Sequence, residues 1–200
     1  MVTGTGRCGT SAFMRFVGEY RGDDVVSFHE TSEPWRNTSN YWNPEANAGI
    51  EYVIDRDSSD GDVANSPYIL KDTRLCHSLG GILRARILRV DHLFILIRDY
   101  RKSAMSRQKR GMWFTDSGPV RCADERKSPL RNQIEFNQRV VGVLMETVAE
   151  HDVPHTVLHF PTFMQDGDYL FRKLRGTPLE TDRETVGRAS GVFDMDQISF

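Results

Sequence analysis

Apolar residues Phe13, Phe16, Val17 and Tyr20 recur at i, i+3, i+4 and i+7, with Arg15 and Glu19 between them, which predicts an amphipathic helix near the start of the chain. His92 to Ile97 (HLFILI) is an unbroken apolar run bounded by Arg98-Asp99, the pattern of a strand buried on both faces. Shorter apolar runs predict further strands at Met1 to Thr3, Val25 to Phe28, Tyr68 to Leu70 and His155 to Phe160. Helical spacing predicts helices over Leu75 to Arg89, Asp99 to Arg110 and Phe163 to Leu174. A longer helix opens at Ser128-Pro129 and carries Leu130, Ile134, Val141, Leu144 and Val148 on one face. Thr31 to Asn65 has no sustained period and reads as a long loop, and Gly176 to Phe200 is polar and unpatterned.

Strands that alternate with helices imply an α/β fold in which a parallel sheet is covered on both faces. Two hundred residues suit one domain, so residues 1–200 are read as a single unit of about five strands.

Between the first strand and the first helix lies MVTGTGRCGTS, in which Gly4, Gly6 and Gly9 permit backbone angles that other residues avoid. The amides of Arg7 to Ser11 can then turn inward at a helix N-terminus, where the dipole favours an anion. The turn reads as a phosphate cradle.

Composition narrows the partners. With 26 basic and 28 acidic residues the net charge is −2, so the chain has no overall field to attract nucleic acid or a membrane surface, and an anion site has to be built locally. No stretch approaches the roughly 20 apolar residues of a membrane span. Cys8, Cys76 and Cys122 are few, odd in number and far apart, which fits reduced thiols in a cytoplasmic setting better than a disulfide framework or a metal site.

Three phosphate loops compete for GTGRCGTS. Read as GxxxxG followed by Thr10-Ser11 it has the spacing of a nucleoside-triphosphate loop, but Thr10 stands where that loop places Lys. Read as GxGxxG, with Glu30 about 20 residues later at the end of the second strand, it fits an NAD(P)-dependent oxidoreductase. That reading leaves unexplained the cation Arg7 inside the loop and the cationic cluster after the buried strand. The third reading is a phosphosulfate loop, and here several separate blocks agree.

GTGRCGTS resembles the GxxRSGTS loop of the P-loop sulfotransferases of the bacterial and Golgi type, with Cys8 in place of the common Ser. IRDYRKSAMSR (Ile97 to Arg107) is similar to their 3′-phosphate motif, in which an Arg at a strand end and a Ser eight residues later, here Arg98 and Ser106, bind one phosphate. His29-Glu30, KDTRLC (Lys71 to Cys76) and HFPTFMQDGDYLFRKL (His159 to Leu174) resemble further blocks in the same order. The RKGxxGxWK-type loop of cytosolic members has no counterpart, leaving Arg172, Lys173, Arg175 and Arg188 as candidates for that duty and the adenine pocket unassigned.

The fold implied by the resemblance is a P-loop three-layer sandwich, and the activity is transfer of a sulfuryl group from 3′-phosphoadenosine 5′-phosphosulfate (PAPS) to an acceptor hydroxyl. The product nucleotide is 3′-phosphoadenosine 5′-phosphate (PAP), the acceptor is a small molecule or glycan, and no metal is implied. Gly6, Arg7, Cys8, Gly9, Thr10 and Ser11 would hold the 5′ end, and Arg98 and Ser106 the 3′-phosphate. Arg7 would meet charge on the departing oxygen. Glu30 is the candidate general base with His29 in reserve, while Lys71 and Arg74 would assist the sulfuryl oxygens or an anionic acceptor. Trp35, Tyr41 and Trp42 are candidates for an acceptor platform, equally readable as loop packing. A catalytically silent nucleotide- or phosphoglycan-binding protein on the same scaffold is the reading from another class.

Overall fold

The computed structural model describes residues 1–20, 69, 71–73, 75–87, 89–109, 111, 116–117 and 120–190. Their elements run in the order β1 (Val2–Gly4), α1 (Thr10–Tyr20), α2 (Leu75–Arg84), β2 (Leu93–Ile97), α3 (Tyr100–Gln108), β3 (Asp116–Ser117) and β4 (Val120–Arg121). α4 (Pro129–Glu150), β5 (His155–His159), α5 (Thr162–Gln165), α6 (Gly167–Leu174) and α7 (Arg183–Ser190) follow.

The apolar run found in the sequence becomes the middle strand. β2 pairs in parallel with β1 on one edge and β5 on the other, with Thr3 opposite Ile95 and Val157 opposite the same residue. Side chains alternate across it. Phe94 and Leu96 join Val2 and Leu158 in one core with Phe13, Phe16 and Val17 of α1, Leu170 of α6 and Val186 of α7. Leu93 and Ile95 join the other core with Leu75, Leu79 and Ile82 of α2 and Phe136, Val140 and Leu144 of α4. Both faces of β2 are therefore dry, which is why its sequence shows no polar alternation. Each large apolar side chain so buried contributes about 1.5–3 kcal/mol relative to exposure.

Lys71 forms a parallel bridge to Val2 on the edge of β1 away from β2. Asp72 N–H donates to the Val2 carbonyl at 3.1 Å, and the Thr3 hydroxyl donates to the Asp72 carbonyl at 2.8 Å. The segment expected as the third strand thus touches β1, although Tyr68 and Leu70 lie outside the described residues. So does Val25 to Phe28. The parallel sheet of the described residues has three strands where about five are expected from sequence.

Four boundaries differ from the sequence expectation. The helix expected to reach Arg89 ends at Arg84, beyond which Arg86 takes a left-handed φ of 54°. Phe163 to Leu174, expected as one helix, breaks at Asp166, whose extended backbone and side chain cap a new helix by accepting from Tyr169 N–H at 2.8 Å. β3 and β4 form a two-stranded antiparallel pair that apolar patterning did not disclose. Within the polar C-terminal stretch, α7 starts where Asp182 accepts from Thr185 N–H at 2.7 Å. Among the described residues no helix is long and apolar enough to cross a membrane.

Candidate functional site

The glycine turn occupies residues 5–9 between β1 and α1, at the carboxyl edge of the sheet. Gly6 and Gly9 have φ of 70° and 91°, and Arg7 joins them in the left-handed region at 55°. A side chain at Gly6 would run into the Arg107 guanidinium, and one at Gly9 into the Phe160 ring, so both glycines answer to a close approach as well as to the backbone angle.

The opposing wall is the exit of β2 and the inner face of α3. Asp99 caps α3 by accepting from Lys102 N–H at 2.8 Å, which starts the helix directly after Arg98. Ser103, Ser106 and Arg107, spaced i, i+3 and i+4, then share one buried face. Three successive carbonyls of the turn are taken up by this wall. Arg107 Nη2 donates to Thr5 O, the Ser103 hydroxyl donates to Gly6 O at 3.1 Å, and Arg98 Nη1 donates to Arg7 O at 3.2 Å. In a trans peptide the carbonyl and the following N–H point in opposite directions. With the carbonyls of Thr5, Gly6 and Arg7 turned to the wall, the amides of Gly6, Arg7 and Cys8 face away from it, those of Gly6 and Cys8 toward the buried Cys8 thiol.

Side chains close the arrangement. Arg7 Nε donates to Ser106 Oγ at 3.1 Å, and the Arg98 guanidinium lies over the Phe160 ring, 5.0 Å from its centroid. Arg98 Nε is buried with no hydrogen-bond acceptor among the described residues, and burial pushes the Arg98 pKa down, against the pull of Asp99. On the other side, Lys71 Nζ donates to Ser11 Oγ at 3.0 Å, placing a buried ammonium in the first turn of α1. The lysine that a nucleoside-triphosphate loop carries in sequence at the Thr10 position is here matched by one reaching over from the neighbouring chain segment.

Cys8 takes a different part from its neighbours. Its side chain is fully buried in the core beneath α1, so only its backbone is presented to a ligand. Burial pushes its thiol up, opposed by the Gly6 amide, the Arg107 charge and the amides of Thr10 and Cys8. The thiol is therefore neutral and no nucleophile, and the amides of Gly6, Thr10 and Cys8 are directed at it.

The structure thus brings Gly6, Arg7, Gly9, Ser11, Lys71, Arg98 and Ser106 into one neighbourhood, with Thr10 buried at the helix start. Glu30, His29, Arg74, Trp35, Tyr41 and Trp42 lie outside the described residues. Arg172 and Lys173 stand on the last turn of α6, where Lys173 Nζ is 5.8 Å from the centroid of the Tyr169 ring, and Arg188 donates to Thr185 Oγ1 within α7.

Residues that sequence reasoning passed over carry much of the wall. The spacing of Arg101, Lys102, Arg107, Lys109 and Arg110 reads as a solvated basic face, yet Arg107 is only 8% exposed, while Arg101, Lys102 and Lys109 are exposed and Arg110 lies outside the described residues. Ser103, Asn137 and Gln133 were not singled out, and each is fully buried. The readable signal was the Ser-Ala-x-Ser-Arg run, whose small residues let α3 approach a loop closely. Comparison with protein-family models, with curated proteins and with solved structures returned no match.

Proposed function

We propose that this chain is a PAPS-dependent sulfotransferase acting on a hydroxyl of a small molecule or glycan. The observation that carries the reading is that Arg98, at a strand exit, and Ser106, two helical turns on, both hydrogen-bond to a single residue of the glycine turn, Arg7. A bisphosphorylated nucleotide needs two anion pockets at a fixed separation, and these residues offer cationic and hydroxyl donors beside a turn whose amides face inward.

The chain's donors fit such a ligand. Arg98 Nε has no acceptor among the described residues, and Ser106, while accepting from Arg7, keeps its hydroxyl proton to donate. Gly6 and Gly9 leave the turn without side chains where the backbone has to approach closely. In this reading the three described strands belong to a five-stranded P-loop three-layer sandwich.

PAPS supplies an activated sulfuryl group whose bond to the phosphate oxygen breaks as the bond to the acceptor oxygen forms. The amides of Gly6 to Ser11 bind the 5′ end and exclude water from it. Arg7 stabilises negative charge growing on the phosphate oxygen, and Lys71, held at Ser11, faces the same region. Glu30 takes the proton of the acceptor hydroxyl, with His29 as the alternative base.

Thermal unfolding with PAP, NAD, NADP and ATP in parallel tests the reading. PAP is expected to raise the midpoint most, and a shift produced by NAD alone assigns the turn to an oxidoreductase instead.

A further inference from the structure

Arg107 is the least expected member of the site. A guanidinium that sequence spacing assigns to a solvated face is folded behind the glycine turn, bonded to Thr5 O and pressed against the position where a Gly6 side chain would begin. On the same helix, Ser103 ends a chain of polar groups that runs in from α4. Gln133 Nε2 donates to Asn137 Oδ1 at 3.1 Å, Asn137 Nδ2 donates to Ser103 Oγ at 3.4 Å, and Ser103 donates to Gly6 O at 3.1 Å. The chain starts on α4, passes through α3 and ends on the turn. Beside it, burial and the Arg107 charge push the pKa of His77 on α2 down.

Polar groups buried this deeply are costly unless they are bonded, and an apolar α3–α4 contact would pack as well. What the bonded version supplies is direction. Without donors behind it, a turn containing two left-handed glycines can rotate its peptide planes, because glycine has no side chain to prevent it. Arg107 and Ser103 fix two consecutive carbonyls on the wall side, which holds the Gly6 amide on the buried Cys8 thiol and turns the Arg7 amide away from the wall.

We infer that Arg107 and the Ser103–Asn137–Gln133 chain are positioning residues, which pre-orient the amides of the turn for an anion without touching it. The inference rests on the anion-binding part of the proposed function and is independent of which group is transferred. A rigid donor set loses less entropy on binding, so its loss should appear as weaker affinity in a folded protein.

The test is isothermal calorimetry with pyrophosphate and with PAP on the full chain, well below the unfolding midpoint of each variant. Arg107→Met is expected to weaken pyrophosphate about 10- to 100-fold, as for loss of one charged hydrogen bond, and Ser103→Ala to weaken it less. Arg107→Lys, which keeps a charged donor, is expected to recover most of the affinity; a merely structural role would lower the midpoint of Arg107→Met and leave the affinity of the folded fraction alone. Should Arg107→Met not fold, Arg107→Gln carries the same comparison. Pyrophosphate affinity within twofold of wild type in the folded uncharged variant overturns the inference. Wild-type binding of pyrophosphate without PAP, lost in Arg107→Met, upholds it and overturns the sulfotransferase reading; wild-type binding of neither overturns both.

Discussion

Ser106 Oγ stands 3.1 Å from Arg7 Nε, joining a helix and a loop that are 99 residues apart in sequence. The contact couples two proposed duties, because the side chain proposed for charge on the 5′ side is steadied by the hydroxyl proposed for the 3′-phosphate. An arginine bonded at Nε has its guanidinium plane fixed.

Ser106→Ala removes the hydroxyl and leaves Arg7 Nε without that acceptor. PAP affinity is expected to fall about 10- to 100-fold, as for a hydrogen bond to a charged group. Adenosine 5′-phosphate, which lacks the 3′-phosphate, should lose much less. Titration of both nucleotides against wild type and variant decides the matter: equal losses would remove Ser106 from the 3′ pocket and leave it only as the support of Arg7.

Arg7→Ala tests the other partner. A donor aimed at charge that develops in the transition state typically accounts for about 10²- to 10³-fold in rate, so turnover with PAPS and an accepted hydroxyl should fall by that factor. The left-handed φ of 55° at position 7 is no easier for Ala than for Arg, so the unfolding midpoint should fall only by the loss of the side chain's own contacts, the bond to Ser106 among them. Near-native turnover in the variant would take Arg7 out of the chemistry.

The legible parts of the fold are those whose cause is local. β2 could be read because both its faces are buried, and α4 because Ser128 and Pro129 mark its start and Ser128 accepts from Arg131 N–H at 3.3 Å. The turn could be read because its backbone angles demand glycine at Gly6 and Gly9. The wall behind it could not. Whether Arg107 faces water or Thr5 O depends on where α3 lies against β1, and the spacing of residues within α3 is the same in either case. Lys71 meets Ser11 only because the chain after position 70 runs beside β1, a fact of pairing and not of pattern. The break at Asp166 was hidden for the opposite reason: Phe163, Leu170 and Leu174 keep helical spacing across it and all reach the same core.

Gly9→Ala tests the closeness of the turn to β5. The new methyl would meet the Phe160 ring, on which the Arg98 guanidinium rests, at a residue whose φ of 91° side chains avoid. Backbone strain of this kind costs about 1–3 kcal/mol, and displacement of Phe160 should also disturb Arg98. Urea unfolding should show the stability loss and PAP titration a weaker fit. Adding Phe160→Leu should recover the steric part and leave the part due to φ; a Gly9→Ala protein as stable as wild type would mean that the turn relaxes freely.

Cys76 gives a prediction for alkaline pH. Its thiol is buried against Thr3 Oγ1, 3.4 Å away, and burial pushes its pKa from 9.0 up to about 12. The neutral form is favoured by folding, so the stabilising contribution is complete below about pH 9, where the unfolded thiol also keeps its proton. Above that pH the unfolded chain gains by releasing the proton and the folded one does not, and stability falls until the folded thiol titrates near pH 12. Cys8, raised by burial as well, adds to the same decline. Urea unfolding at intervals from pH 8 to about pH 10.5 should give a steeper loss for wild type than for Cys76→Ala, each referred to its own stability at pH 8. Parallel lines for the two proteins would mean that the thiol is not held protonated by the fold.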